Sequence, residues 1–280
     1  PQNEFPYEDL VNTNAQRSNK EQEYELIDTG IFDNNEYFDI FIEYAKINHD
    51  DILIRVSVIN RNSVKAPLII LPTLWFRNNW SWGYNQYKPT LSTNHRGQID
   101  IEHKSLYMRK LYSRDKNVKI LFCENETNTE KLYGKKSENK YFKDGINNHL
   151  LYKKHTVNPK KFGTKAAFVI DTEIEAGETK TFDFRLSPHK MENAFFDFDE
   201  VFENRKIEAN EFYEDIQKDI TDEDEKNVQR QAFAGLLWNK QFYHYKVGKW
   251  LKGDPNFPVE RNFENHVRNV EWKHMNCKDI

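Results

Sequence analysis

Apolar positions along the first two-thirds of the chain recur every second residue, and this spacing predicts β-strands. In "TFDFRLS", Phe182, Phe184 and Leu186 alternate with Thr181, Asp183 and Arg185. Successive side chains of a strand point to opposite faces, so the three apolar groups are expected buried and Arg185 outward. "DILIRVSVIN" sorts the same way, with Ile52, Ile54, Val56 and Val58 on one face and Leu53, Arg55, Ser57 and Ile59 on the other. "EYFDIFIEYAK" and "KAAFVIDTEI" mix aromatic and β-branched residues, which suit a pleated, half-buried surface. "EAGETK", Glu175 to Lys180, reads as a hairpin turn between two such runs. Strands separated by turn signals predict an antiparallel β-sandwich over residues 1–195 rather than βαβ units. The Asn-, Lys- and Glu-rich stretch 125–158 reads as a long solvated excursion between strands.

Near Asp197 the period changes. Gly and Pro vanish, charge rises, and Val201, Ile207, Phe212 and Ile216 fall at roughly helical spacing, predicting a helix within 196–220. Thr221 opens "TDED", a capping-box pattern, ahead of a helix expected to run to Val247. Val228, Ala232, Leu236 and Lys240 share one face of it, with Phe233 and Leu237 beside them. The charge run Asp219–Lys226 is the solvated start of that helix, and "GDPNFP" ends the helical region. The fold class is therefore mainly β followed by α, with the change near residue 195.

Composition narrows the function classes. A chain of 280 residues can bury a sizeable core, and its 14% aromatic content argues against disorder. A net charge of −4 gives no electrostatic footprint for nucleic acid, and no apolar run reaches membrane-spanning length. Cys123 and Cys277 are too few for a disulfide framework and read as free thiols of a reducing, cytoplasmic compartment. The nine histidines, including His95, His103, His149 and His155, show no metal-ligand spacing. No Gly-rich phosphate loop or G-x-S-x-G elbow is present, so no metal and no cofactor is expected.

Two aromatic stretches remain. "LPTLWFRNNWSWGYNQY", Leu71 to Tyr87, holds three of the six tryptophans, with Arg77, Asn78 and Asn79 between them. Indole faces suit the C–H faces of sugar rings, while guanidinium and amide groups suit hydroxyls, so Arg77, Asn78, Trp80 and Trp82 are candidate substrate-binding residues. A strand end that seals the edge of a sandwich is the competing reading. Trp238, Gln241, Tyr243, His244 and Tyr245 gather at the expected end of the second helix, where a pocket or plain packing would both use them.

"YELIDTGIFDNNEYFDIFIEYAK", "LPTLWFRNNWSWG", "RQAFAGLLWNKQFYHY" and "RNVEWKHMNCKDI", in this order, resemble the bacterial glucosidase-type proteins of glycoside hydrolase family 63. That family also holds the processing mannosyl-oligosaccharide glucosidases and mannosylglycerate hydrolases. The resemblance implies a super-β-sandwich at 1–195, a linker helix at 196–220, and the start of an incomplete (α/α)6 toroid at 221–280. It implies an inverting α-glycosidase acting on an α-linked glucoside or oligosaccharide, with an acid Asp and a base Glu. Neither acid matches a residue here, so both are expected beyond Ile280 and no catalytic residue is assigned. Candidate substrate contacts are Arg77, Asn78, Trp80, Trp82, Trp238, Gln241, Tyr245 and Trp272. The expected partners are the sugar and the remainder of the catalytic domain, with no nucleic acid and no membrane. A non-catalytic carbohydrate-binding module and a structural docking domain are the alternatives.

Overall fold

In a computed structural model of the chain, residues 1–137, 139–240, 244–258, 267–268 and 270–277 are described. The order begins α1 (Tyr7–Gln16), β1 (Phe38–Lys46), β2 (Ile52–Asn60), β3 (Ala66–Ile70), β4 (Thr73–Trp75), β5 (Thr90–Ser92), β6 (Gln98–His103), β7 (Tyr107–Ser113) and β8 (Lys119–Cys123). It continues with α2 (Thr129–Tyr133), α3 (Gly145–Tyr152), β9 (Phe162–Gly163), β10 (Lys165–Ile174), β11 (Thr179–Ser187), α4 (Phe198–Ile216) and α5 (Glu223–Trp238). Short elements follow: β12 (Tyr245–Lys246), α6 (Val247–Lys252), β13 (Gly253–Asp254), β14 (Phe257–Pro258) and β15 (Asn276–Cys277). Two units divide the chain, a β unit of residues 1–75 and 89–201 and a smaller unit of residues 76–88 and 202–280.

The β unit holds two antiparallel sheets. One runs β1-β2-β11-β7-β6-β5-β9, and in the other β10 pairs with β3, β4 and β8. Phe184 of the first sheet and Phe168 of the second stack with ring centroids 5.6 Å apart, and both are buried. Val56, Val58 and Phe184 show the face that the alternation predicts for β2 and β11. Phe182 and Leu186 lie on the same face but are only half-buried.

The opposite face departs from the alternation. Arg185, expected outward, is 2% exposed. Its guanidinium donates to both Asp51 carboxylate oxygens at 2.9 Å, to the Ala194 carbonyl at 2.9 Å and to Asp197 at 2.7 Å. Ser187 Oγ donates a further bond to Asp51 at 3.1 Å. Nearby, Asp183 takes Arg55 at 3.1 Å and Arg114 at 2.8 Å, and both guanidinium groups lie about 5 Å from the Phe198 ring. The segment after β11 thus covers this face, and Arg–Asp pairing keeps the charges buried there compensated.

The Glu175–Lys180 turn is likewise not a hairpin. β10 and β11 belong to different sheets, so the turn carries the chain from one layer to the other. Asn60, fully buried, makes this possible: its side-chain amide donates to the carbonyls of Val64, Ile174 and Glu175. The stretch 125–158 also departs from its reading as a solvated excursion, because it contains α2 and α3. Ile146 of α3 is buried against Leu121, Cys123 and Ala167, which gives this stretch an apolar anchor.

In the second unit, Arg230 of α5 donates to Asn210 of α4 at 2.8 Å and lies 4.5 Å from the Tyr213 ring centroid. Asp222, not Thr221, caps α5, accepting from the backbone N–H groups of Asp224 and Glu225. Either side chain could cap, and the carboxylate also complements the positive end of the helix dipole. α5 stops at Trp238 rather than Val247, with Asn239 as its C-cap, and Tyr245 begins a strand. None of its residues is buried; Leu236 is 67% exposed and Trp238 79%.

Candidate functional site

The candidate site is built wholly within the second unit, from two segments far apart in sequence. The first is the Trp-rich loop. Asn78 Oδ1 accepts from the backbone N–H of Ser81 at 3.2 Å and from its hydroxyl at 2.9 Å, closing a single 3-10 turn over Trp80–Trp82. Gly83 ends the turn with φ +92, a left-handed conformation that glycine adopts without a side-chain clash.

The second segment is the run from Tyr245 to Asn256. β12 pairs with β15, placing Tyr245 opposite Cys277, and α6 follows at once. Val247 and Leu251, one helical turn apart, bury one face of α6, while Lys249 and Trp250 remain exposed. Gly253–Asp254 and Phe257–Pro258 pair as a small hairpin, so "GDPNFP" reverses the chain after α6. The hairpin turn clamps the Trp loop: Asn256 N–H donates to the Trp82 carbonyl at 3.1 Å, and its side-chain amide donates to the Ser81 carbonyl at 3.0 Å. A Cβ on Gly83 would stand 2.8 Å from Asn256 Oδ1 and 2.9 Å from Pro255 Cβ, so the contact has no room for one.

Between the segments lies a cleft of about 460 Å³, lined among others by Arg77, Trp82, Tyr245, Lys249, Trp250 and Asp254. Small-molecule sites fall in this size range. The Arg77 guanidinium lies 5.3 Å from the Trp82 ring centroid, and Lys249 Nζ lies 3.8 Å from that of Tyr84. Desolvation first, then the hydrogen bond to Asp254 and its negative charge, push the Tyr84 hydroxyl above its ordinary value. Asp254 is the one carboxylate on the cleft lining among the described residues, opposed by Arg77, Lys246 and Lys249. Indole and phenol surfaces edged by donors and one acceptor can hold a flat, hydroxyl-rich ligand.

The structure brings together Arg77, Trp82 and Tyr245 of the residues singled out from sequence, with His244 beside them. Asn78 supports the turn, and half-buried Trp80 stands 6.0 Å from Lys88 Nζ. None of Arg77, Asn78, Trp80 and Trp82 is sealed in a core. Trp238 ends α5 and does not line the cleft. Trp272 stacks on His274 at 6.0 Å and lies on a 3-10 turn outside the lining. Gln241 and Tyr243 lie outside the described residues. Sequence reasoning missed Lys249, Trp250 and Asp254; the available signal was the lone indole in "GKWLKGD", just past the expected helix end.

No protein-family model matches the chain. The chain is similar to the uncharacterized protein YMR196W of Saccharomyces cerevisiae, at 32% identity over 99% of this chain, and it spans 30% of that protein's length. Among solved structures, a polysaccharide lyase aligns at a TM-score of 0.33 and 11% identity, over 56% of this chain and 21% of the lyase. Among the described residues, no helix is long and apolar enough to cross a membrane, and no group of three or more His, Cys, Asp or Glu could hold a metal ion.

Proposed function

We propose that this chain is the sugar-facing N-terminal part of an inverting α-glycosidase of the glycoside hydrolase family 63 type, and that the Trp82–Trp250 cleft receives its α-linked glucoside or oligosaccharide. One observation carries the reading. Indoles from two segments far apart in sequence, Trp82 in the family-like Trp loop and Trp250 outside the family-like motifs, line one cleft with Arg77 and Asp254 as hydrogen-bonding groups. In this reading the two sheets correspond to the super-β-sandwich, α4 to the linker helix and α5 to the first toroid helix. The exposed Leu236, Leu237 and Trp238 then lie where later helices of the catalytic domain pack.

The chain supplies binding in this scheme, not bond cleavage. Inversion needs a carboxylic acid to protonate the leaving oxygen and a carboxylate to activate water, about 6.5–9.5 Å apart. Among the described residues the cleft lining offers one carboxylate, Asp254, and Tyr84 hydrogen-bonds to it. In this reading no residue of this chain is assigned to the catalytic pair. The test assays the purified 280-residue chain beside a longer protein carrying its sequence on aryl α-glucosides and α-linked disaccharides. Turnover by the longer protein alone, releasing the inverted anomer, is the expected result. Turnover by the short chain overturns the division of labour. Sugar binding without turnover in either supports the carbohydrate-binding-module reading instead.

A further inference from the structure

A larger hollow, about 650 Å³, lies in the β unit and is separate from the aromatic cleft. Three loops and α3 form its wall: the β5–β6 loop, the β7–β8 turn, and the segment leading into β9. The first two are held close. Gly97, at φ +66, approaches the β7–β8 turn so nearly that a Cβ there would stand 2.8 Å from the Lys116 backbone. The third is tied to β8 by the Asn158 N–H, which donates to the Phe122 carbonyl at 2.8 Å.

The lining is strongly one-signed. Arg96, Lys116, Lys119 and Lys161 bring four basic side chains, and no Asp or Glu lines the hollow among the described residues. None of the four has a carboxylate within ion-pair distance among the described residues. The nearest acid in sequence, Asp115, accepts the backbone N–H of Asn117 at 2.8 Å. The chain as a whole carries a net charge of −4, so this concentration of cations runs against its bulk balance. Val118, Ile120 and Val157 add an apolar floor.

We propose that this hollow binds a small phosphate-bearing molecule, with the cations on its phosphate oxygens and the aliphatic floor under its uncharged body. Several unpaired cations around one hollow raise the local concentration of a compact polyanion, and charge-assisted bonds to phosphate then hold it. A neutral sugar makes no use of four cations. The volume fits a small molecule, and a net charge of −4 does not favour a nucleic acid duplex. The proposal is independent of the sugar-cleft reading.

The test titrates the purified chain with inorganic tripolyphosphate and with glucose 6-phosphate, using glucose and a short DNA duplex as controls. Backbone amide shifts are read by NMR at Gly97, Asn117, Val118 and Asn158. Saturable shifts with both phosphate probes and none with glucose are expected. The Arg96→Gln/Lys161→Gln variant should weaken both by roughly tenfold or more, the loss that follows removal of bonds to a charged group. These side chains are exposed, so circular dichroism of the variant should match the parent. A Lys116→Gln/Lys119→Gln variant provides a second, separate reading. Equal binding of glucose, tighter binding of the duplex than of tripolyphosphate, or affinity unchanged in both variants overturns the proposal.

Discussion

The β unit and helix α5 treat their side chains in opposite ways. In the β unit even charges are buried: Arg185 and Asp51 are each 2% exposed and satisfy one another. In α5, Val228 and Leu236, which share one helical face, stand in water, and no residue of the helix is buried. Periodicity therefore reports which side chains share a face, while burial depends on whether another layer covers that face. β11 has a layer on each side, Phe168 on one and the Phe195–Phe198 segment on the other. A helix keeps its backbone hydrogen bonds without such a layer, and α5 adds the Asp222 cap and the Arg230 contacts to α4.

This comparison can be broken by mutation, and the largest effect is expected in the β unit. Phe184→Ala removes a ring stacked between the sheets and should cost about 3–5 kcal/mol in chemical denaturation. An unchanged midpoint would mean the two sheets do not share a core. Alkaline pH should act on the same unit. Burial, the largest cause, pushes the Cys123 thiol from 9.0 up to about 12. Between those values the unfolded chain has lost this proton and the folded chain has kept it, so stability falls as pH rises. The loss is at most about 1.4 kcal/mol per pH unit. A Cys123→Ser variant should flatten that part of the pH profile, and an identical slope would deny the buried thiol its part.

Smaller effects are expected in the second unit. Gly83→Ala combines a positive φ with a blocked approach to Asn256 and should cost about 1–3 kcal/mol. Loss of dispersion in the Trp82 indole N–H signal, with the β-unit spectrum unchanged, would report the loosened Trp loop. Leu236→Ala, on the bare face of α5, should change stability by no more than about 0.5 kcal/mol. A cost comparable to that of Phe184→Ala would show the face is covered in solution.

What could be read in the sequence follows the same division. "TFDFRLS" gave the strand β11 and the inward Phe184, because alternation is a local property. It could not give the burial of Arg185, whose partners Asp51 and Asp197 lie on separate segments. Nor could it show that Glu175–Lys180 changes sheets, since that depends on the remote side chain of Asn60. The apolar run "AFAGLLW" marked α5, but its end was overdrawn by nine residues, from Trp238 to Val247, because aromatic residues in "FYHY" mimic a helical stripe. At the site, the Trp/Arg/Asn composition flagged Arg77 and Trp82, whereas Trp250 and Asp254 belong to a remote segment held to the Trp loop by the Asn256 clamp and the Tyr84 contacts with Lys249 and Asp254.

The most direct test of the sugar-cleft reading is an NMR titration of the chain with maltose, following the indole N–H signals of Trp82 and Trp250. Both signals should shift and saturate together, while exposed Trp238 stays fixed. Trp82→Ala should weaken the binding read from Trp250 by roughly tenfold, as loss of a central aromatic contact does. Indole signals unmoved by maltose, or a Trp250 response unchanged by Trp82→Ala, would contradict the account.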